Sequence, residues 1–204
     1  MTYSDSRGDY DSDETFANFR GIVMGDIPEG WLYRSASGID DSHGRSAYVN
    51  ALYAENGIVT VLNLAESAEE VEALITERDT EDFYSELFRE GRVIAGGSLG
   101  IDMTAEAFKQ TLALDLREML AQEGPYVIQC QEGKDRTGAV SLILEALMGA
   151  SYEEMLDDYM RSYVNYYHLE EGDEKYQAVK DGNADYLFMA LSGTEHVSDM
   201  EQAN

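Results

Sequence analysis

Residues 126–138 read YVIQCQEGKDRTG, and their reading decides the architecture of the whole chain. Tyr126-Val127-Ile128-Gln129 is short and mostly apolar, which predicts a strand. It runs into a polar loop that holds the only cysteine of the chain, Cys130, together with Gly133 and Gly138. The apolar stretch 139–148 then predicts a helix. In a strand, loop and helix unit of this kind, loop N–H groups and the helix N-terminus converge on one point and form an anion site.

The same alternation continues outward. Residues 58–64, IVTVLNL, are β-branched and almost continuously apolar, as expected of a strand buried on both faces. Residues 18–35 hold two short strands broken by Gly25-Asp26 and Pro28-Glu29-Gly30, and 92–95 is another short strand. Helices are predicted over 40–56, 67–90, 104–122, 152–169 and 176–191, with 96–100 as a glycine-rich connection. Within 104–122, Phe108, Leu112, Leu116, Met119 and Leu120 recur at helical spacing. Strands alternating with helices predict an α/β fold, a central mostly parallel sheet flanked by helices. The 204 residues suit one domain with a sizeable core. It is expected to span 16–204, after an acidic, Ser-rich flexible tail over 1–15.

With 41 acidic and 14 basic residues the formal net charge is −27. Such a field repels nucleic acid and anionic membrane surfaces, so neither nucleic acid binding nor stable membrane association is expected. A phosphorylated substrate would need a site made locally positive against this background. One cysteine cannot form an internal disulfide, and the N-terminal residues lack the apolar run of a signal peptide, which together predict a cytoplasmic protein. His43, His168 and His196 lack metal-ligand spacing, so neither a metal site nor a cofactor is expected.

Chemistry concentrates in the loop. A thiol beside a helix N-terminus and a fixed guanidinium is favoured as the nucleophilic thiolate, and Cys130 meets both conditions. Arg136 follows it by six positions, enough chain to curl once around a phosphate-sized group and return a planar fork able to bind two oxygens. The amides of Gln131, Glu132, Gly133, Lys134, Asp135 and Arg136 would complete the cradle. Thr137 can donate its hydroxyl to the departing sulfur. A nucleotide P-loop is excluded: Asp135 follows the lysine where Ser or Thr is required, and Ile128 stands where the first glycine belongs.

Cys130 to Arg136 with Thr137-Gly138 resembles the signature loop of the cysteine-dependent protein tyrosine phosphatase superfamily. The GKDRTG form is similar in particular to the bacterial tyrosine and dual-specificity phosphatases typified by the mycobacterial secreted tyrosine phosphatase B, some of which act on phosphoinositides. Asn18-Phe19-Arg20, Leu32-Tyr33-Arg34-Ser35, Asp158-Tyr159 and Ser162 extend the resemblance over most of 16–165. The chain departs from the pattern at Gln129, where the family has histidine, at Gly21-Ile22 after Arg20, where an acidic residue is usual, and at Glu132, which puts a negative charge in the loop.

The resemblance implies a cysteinyl-phosphate mechanism on a phosphorylated protein or small phosphoester, and two carboxylates compete for the acid it needs. Asp135 lies in the loop, where the resembling enzymes place theirs. Asp102, in the glycine-flanked segment 100–104, lies where other tyrosine phosphatases keep it, and could equally cap the helix that follows. Lys134 would point to the pocket mouth, either as a solvated lysine or as a contact for a second phosphate. Arg34 would be a second rim cation, or else a partner for surface carboxylates. The acidic segment 67–90 is either a solvated amphipathic helix or a helical lid, and the tyrosines of 159–167 are read as helix packing. Two other functions remain open. One is phosphoinositide or inositol phosphate hydrolysis. The other is a catalytically impaired phospho-binding module.

Overall fold

The computed structural model describes residues 3–97, 100, 102 and 105–193. The start expected for the 104–122 helix, part of the 96–100 connection and the last residues of the expected domain lie outside them. Among the described residues five strands form the sheet: β1 (Arg20–Ile22), β2 (Leu32–Ser35), β3 (Thr60–Asn63), β4 (Val93–Ile94) and β5 (Tyr126–Gln129), in the order β1-β2-β5-β3-β4. Only β1 is antiparallel to its neighbour, a hairpin edge on an otherwise parallel sheet. The strand that delivers Cys130 is central, paired with β2 and β3 on its two sides.

The two-sided burial expected of 58–64 follows from the pleat. Val61 faces one core cluster and Leu62 the other, and on β5 Val127 and Ile128 divide the same way. One face is covered by α5 (Glu106–Leu120) and α6 (Asp135–Leu147), through Phe108, Leu112, Met119 and Val140. The other is covered by α2 (Ser46–Glu55), α3 (Ala68–Arg78) and α4 (Phe83–Arg89), through Val49, Tyr53, Val71, Tyr84 and Leu87. A third cluster joins α6 to α7 (Tyr152–Tyr167), α8 (Glu174–Val179) and α9 (Asp185–Ser192), with a π-helical turn, Lys180–Ala184, between the last two.

One expectation requires correction. Residues 67–90 form two helices rather than one. The first starts with a Ser67–Glu70 capping box and stops where Asp79 adopts φ 48°, and Asp82 then caps the second through Ser85 N. Val71, Tyr84 and Leu87 of these helices are buried in the second core cluster. Within the segment expected as a tail, the described residues 3–15 make specific contacts with the domain. Ser12 caps the short α1 (Asp13–Phe16), Tyr10 is buried, and the buried Arg45 guanidinium lies over the rings of Tyr10, Phe16 and Tyr166 at 5.3, 4.4 and 4.3 Å. Aromatic rings that can stack on a desolvated cation supply the attachment that the acidic composition conceals. Among the described residues no helix is long and apolar enough to cross a membrane.

Candidate active site

Cys130 leaves β5 at the carboxyl end of the parallel strands, where open α/β sheets place their ligand sites. It is 3% exposed and joins the apolar cluster beneath the loop. The loop turns back at Gly133, which has φ +67°; a Cβ there would lie 2.4 Å from the Ser35 carbonyl group and 2.6 Å from Ala36 N. Those neighbours are main chain of β2 and its continuation and have no rotamer to adopt, so the turn requires glycine. Helix α6 then begins at Asp135.

Long-range donors hold the outer side of the loop. Ser37 N donates to the Gln131 carbonyl at 3.2 Å, and Asn18 Nδ2 donates to the carbonyls of Glu132 and Gly133 at 3.1 and 3.0 Å. Arg34 Nη2 donates to the Gly133 carbonyl at 3.0 Å and lies 3.5 Å from that of Lys134. A trans peptide carries its N–H opposite its C=O. Carbonyls tied to the body therefore turn the N–H groups of residues 132–135 toward the concave side. Asn18 adopts φ 48° to reach them, a left-handed conformation that asparagine tolerates.

Arg34 is thus not a rim cation. It is fully buried under the loop and is ion-paired with Asp158, which also accepts from Arg20 Nε at 2.6 Å. Ser162 Oγ accepts from both guanidinium groups, at 2.9 and 3.0 Å. Burial opposes ionisation of Asp158, but Arg20 and Arg34 outweigh it and hold the carboxyl well below its usual range. Burial and then the charge of Arg34 lower Arg20 to about 10. Glu145, 1% exposed, is driven the opposite way from Asp158, first by burial and then by the Asp158 charge. Arg20 and Arg34 thus converge on one carboxylate, Asp158, beneath the loop.

Lys134 also departs from its expected place. It is 7% exposed, and its Nζ donates to Glu132 Oε2 at 2.7 Å and to Tyr167 Oη at 2.8 Å, with Asp135 Oδ2 at 3.6 Å. The rings of Tyr163, Tyr166 and Tyr167 lie 5.5, 5.3 and 4.8 Å from the ammonium. Burial disfavours the charge, but Asp135, Glu132 and Tyr167 outweigh it and hold Lys134 above the usual lysine value. The tyrosines of 159–167 are packing residues, as expected, and several also surround this cation.

The remaining candidates fall as follows. Arg136 Nη1 donates to the Leu64 carbonyl at 3.1 Å, bringing the guanidinium to the end of β3. Asp135 is half exposed, and its Oδ1 accepts from Tyr163 Oη at 2.8 Å. Thr137 Oγ is buried with no hydrogen-bond partner, so it does not bond the sulfur here. Gln131 reaches away from the loop to Asp40 Oδ2 at 2.7 Å. Gln129 is fully buried, and its Oε1 accepts from Gly38 N at 2.7 Å and Tyr53 Oη at 3.2 Å. It therefore braces the segment after β2, not the cysteine loop itself. Asp102 is exposed, and its carbonyl accepts from Ala105 N at 3.2 Å in the approach to α5.

Sequence reasoning assigned no role to Glu66. Its Oε2 is buried without a hydrogen-bond partner, and burial followed by the charge of Asp40 raises its pKa against the pull of Asn63 and Arg136. Its place just after β3 was the available signal, because the carboxyl ends of parallel strands face the ligand crevice. The supporting roles of Asn18, Arg20 and Asp158 were carried only as motif resemblance, since each acts on a residue more than a hundred positions away.

A mostly parallel sheet that delivers a buried cysteine into a glycine-turned loop, with an arginine on the first turn of the next helix, defines an α/β domain of the tyrosine-phosphatase type. The chain belongs to the tyrosine phosphatase family, whose model matches residues 17–200, and phosphatase activity in general follows from that membership. No curated protein and no solved structure matches it.

Proposed function

We propose that the protein hydrolyses phosphomonoesters through a cysteinyl-phosphate intermediate. The observation that carries this reading is the outward tethering of the loop carbonyls of residues 131–134 around Cys130. The N–H groups so directed, with Arg136, hold the phosphoryl oxygens and stabilise charge as it spreads over them. Cys130 Sγ attacks phosphorus, the P–O bond to the leaving group breaks, and Asp135 gives that oxygen its proton. Water then attacks phosphorus, passing a proton to Asp135 as the S–P bond breaks. The buried, unpartnered Thr137 hydroxyl is available to the departing thiolate. The lone thiol works only while reduced, which supports a cytoplasmic setting.

The substrate class is phosphotyrosine in protein, with phosphoserine and phosphothreonine secondary. Supporting this over polyphosphorylated inositols, the two cations expected at the rim of the site are committed elsewhere, Arg34 to Asp158 and Lys134 to Glu132. Cys130→Ser should abolish phosphate release from an aryl phosphate while vanadate binding survives. Retained hydrolysis in that variant overturns the mechanism, and absence of turnover by the native chain makes it a phospho-binding module. Relative rates on phosphotyrosine peptide, phosphoserine peptide, phosphoinositide and soluble inositol phosphate test the substrate class.

A further inference from the structure

Asp135 stands on the first position of α6, and a half-exposed carboxylate there has several rotamers open to it. One hydrogen bond selects among them. Tyr163 Oη donates to Asp135 Oδ1 at 2.8 Å from a side chain that is 2% exposed and packed in the third core cluster. The same hydroxyl accepts from Asn183 Nδ2 at 3.0 Å and lies 3.4 Å from Tyr159 Oη. Asn183 sits in the π-helical turn Lys180–Ala184, and such turns interrupt the regular helical ladder and recur at functional sites. Leu187 and Phe188 on the following helix are buried in the same cluster, so the turn is fixed to the body of the domain.

We propose that Asn183 and Tyr163 form a positioning relay for the proton donor, through which the C-terminal helical segment sets the orientation of the Asp135 carboxyl. This rests on the assignment of Asp135 as general acid. When Asp135 gives up its proton, negative charge appears on an oxygen already facing a buried hydroxyl, and that hydroxyl is polarised by the Asn183 amide behind it. A donor aimed at charge that develops during the reaction stabilises the transition state more than the ground state. Burial, then Tyr159 and Asp135, hold Tyr163 above the usual tyrosine value, so it stays protonated and able to donate. The Lys134 ammonium, 3.6 Å from Asp135 Oδ2, is the other charged group facing the carboxyl from the loop side. Neither Tyr163 nor Asn183 need touch the substrate. They act through Asp135.

Leaving-group dependence separates this role from packing. A phenolate as basic as that of tyrosine needs a proton on departure, whereas an acidic, fluorinated phenol does not. Asp135→Asn should lose ~100-fold or more on phenyl phosphate and far less on a fluorinated aryl phosphate. Tyr163→Phe, which keeps the ring, should lose ~10-fold on phenyl phosphate with the fluorinated substrate within about 2-fold of native, and Asn183→Ala should follow the same pattern more weakly. Equal losses on both substrates, or no loss on either, overturn the relay. If Asp135→Asn itself fails to discriminate, the assignment of the acid falls and the relay with it. If Asp135→Asn discriminates and Tyr163→Phe does not, the relay alone is wrong.

Discussion

Arg34 Nη2 donates to the Gly133 carbonyl at 3.0 Å from a side chain with no solvent exposure. A buried cation thereby shapes the candidate phosphate loop from behind, while its Nη1 is paired with Asp158. The pair is buried together with Arg20, so its consequences concern stability as much as binding.

Arg34→Met leaves the Gly133 carbonyl without this donor and Asp158 with one arginine fewer. Breaking a buried pair from one side costs about 3–5 kcal/mol, which denaturant unfolding should register as a lower midpoint. Arg34→Lys keeps the charge but loses the fork that reaches Asp158, Ser162 and the carbonyl together, and should recover only part of the loss.

Gly133→Ala puts a Cβ 2.4 Å from the main chain of Ser35 at a residue with φ +67°. The loop must shift, because the obstructing atoms are backbone. A displacement of about 1 Å at a reacting group costs ~100-fold, so turnover of an aryl phosphate should fall at least that far. Far-ultraviolet circular dichroism should remain native-like, because the strand and helix that flank the loop keep their core contacts.

Lys134→Met tests the Lys134–Glu132 pair. A lysine that reads a second phosphate would, when lost, change the ratio of rates on inositol phosphates and phosphotyrosine peptide. The Nζ contacts to Glu132 and Tyr167 predict an unchanged ratio and a stability loss of about 1–3 kcal/mol, read by thermal and denaturant unfolding.

Two buried carboxylates should give opposite pH dependence of stability. Asp115 is 4% exposed with Oδ2 unpartnered, and burial followed by the charge of Glu118 raises it to about 6. An unfolded aspartate titrates near ~3.9, so this residue's contribution is in place below about 4 and is lost as pH rises toward the folded value. Asp115→Asn should therefore be more stable than the native chain at pH 7, by about 1–2 kcal/mol, with less dependence between the two pKa values. Asp158, held low by Arg20 and Arg34, has the reverse sign: its contribution is present above the ordinary carboxylate range and is lost as pH falls below it. Unfolding free energies from acid to neutral pH would separate the two.

Much of the fold was legible because it is written locally. The apolar strand at 126–129, the glycine at 133 and the apolar run after 138 describe one strand, loop and helix, although the helix starts at Asp135, inside the stretch read as loop, and the continuous apolar text at 58–64 requires helices on both faces. The break in 67–90 was missed because its signal is a single aspartate in a left-handed conformation followed by a capping aspartate, in a segment dense with acids of every role. The docking of the N-terminal residues was missed because acidic composition hides the few rings that attach them.

Chain order alone established that a lone cysteine stands six residues before an arginine at the mouth of a parallel-sheet unit, because spacing and periodicity act within one stretch of backbone. Folding settled which cations serve that mouth. Arg34 and Lys134 are both near the loop in sequence or by resemblance, yet one turns under it toward Asp158 and the other sideways toward Glu132 and the tyrosines of α7. The contact of Asn183 with Tyr163, and of Tyr163 with Asp135, belongs to the same category. The direction a side chain takes is set by which carboxylates, hydroxyls and rings the packed core brings within about 3 Å, and those partners come from distant parts of the chain.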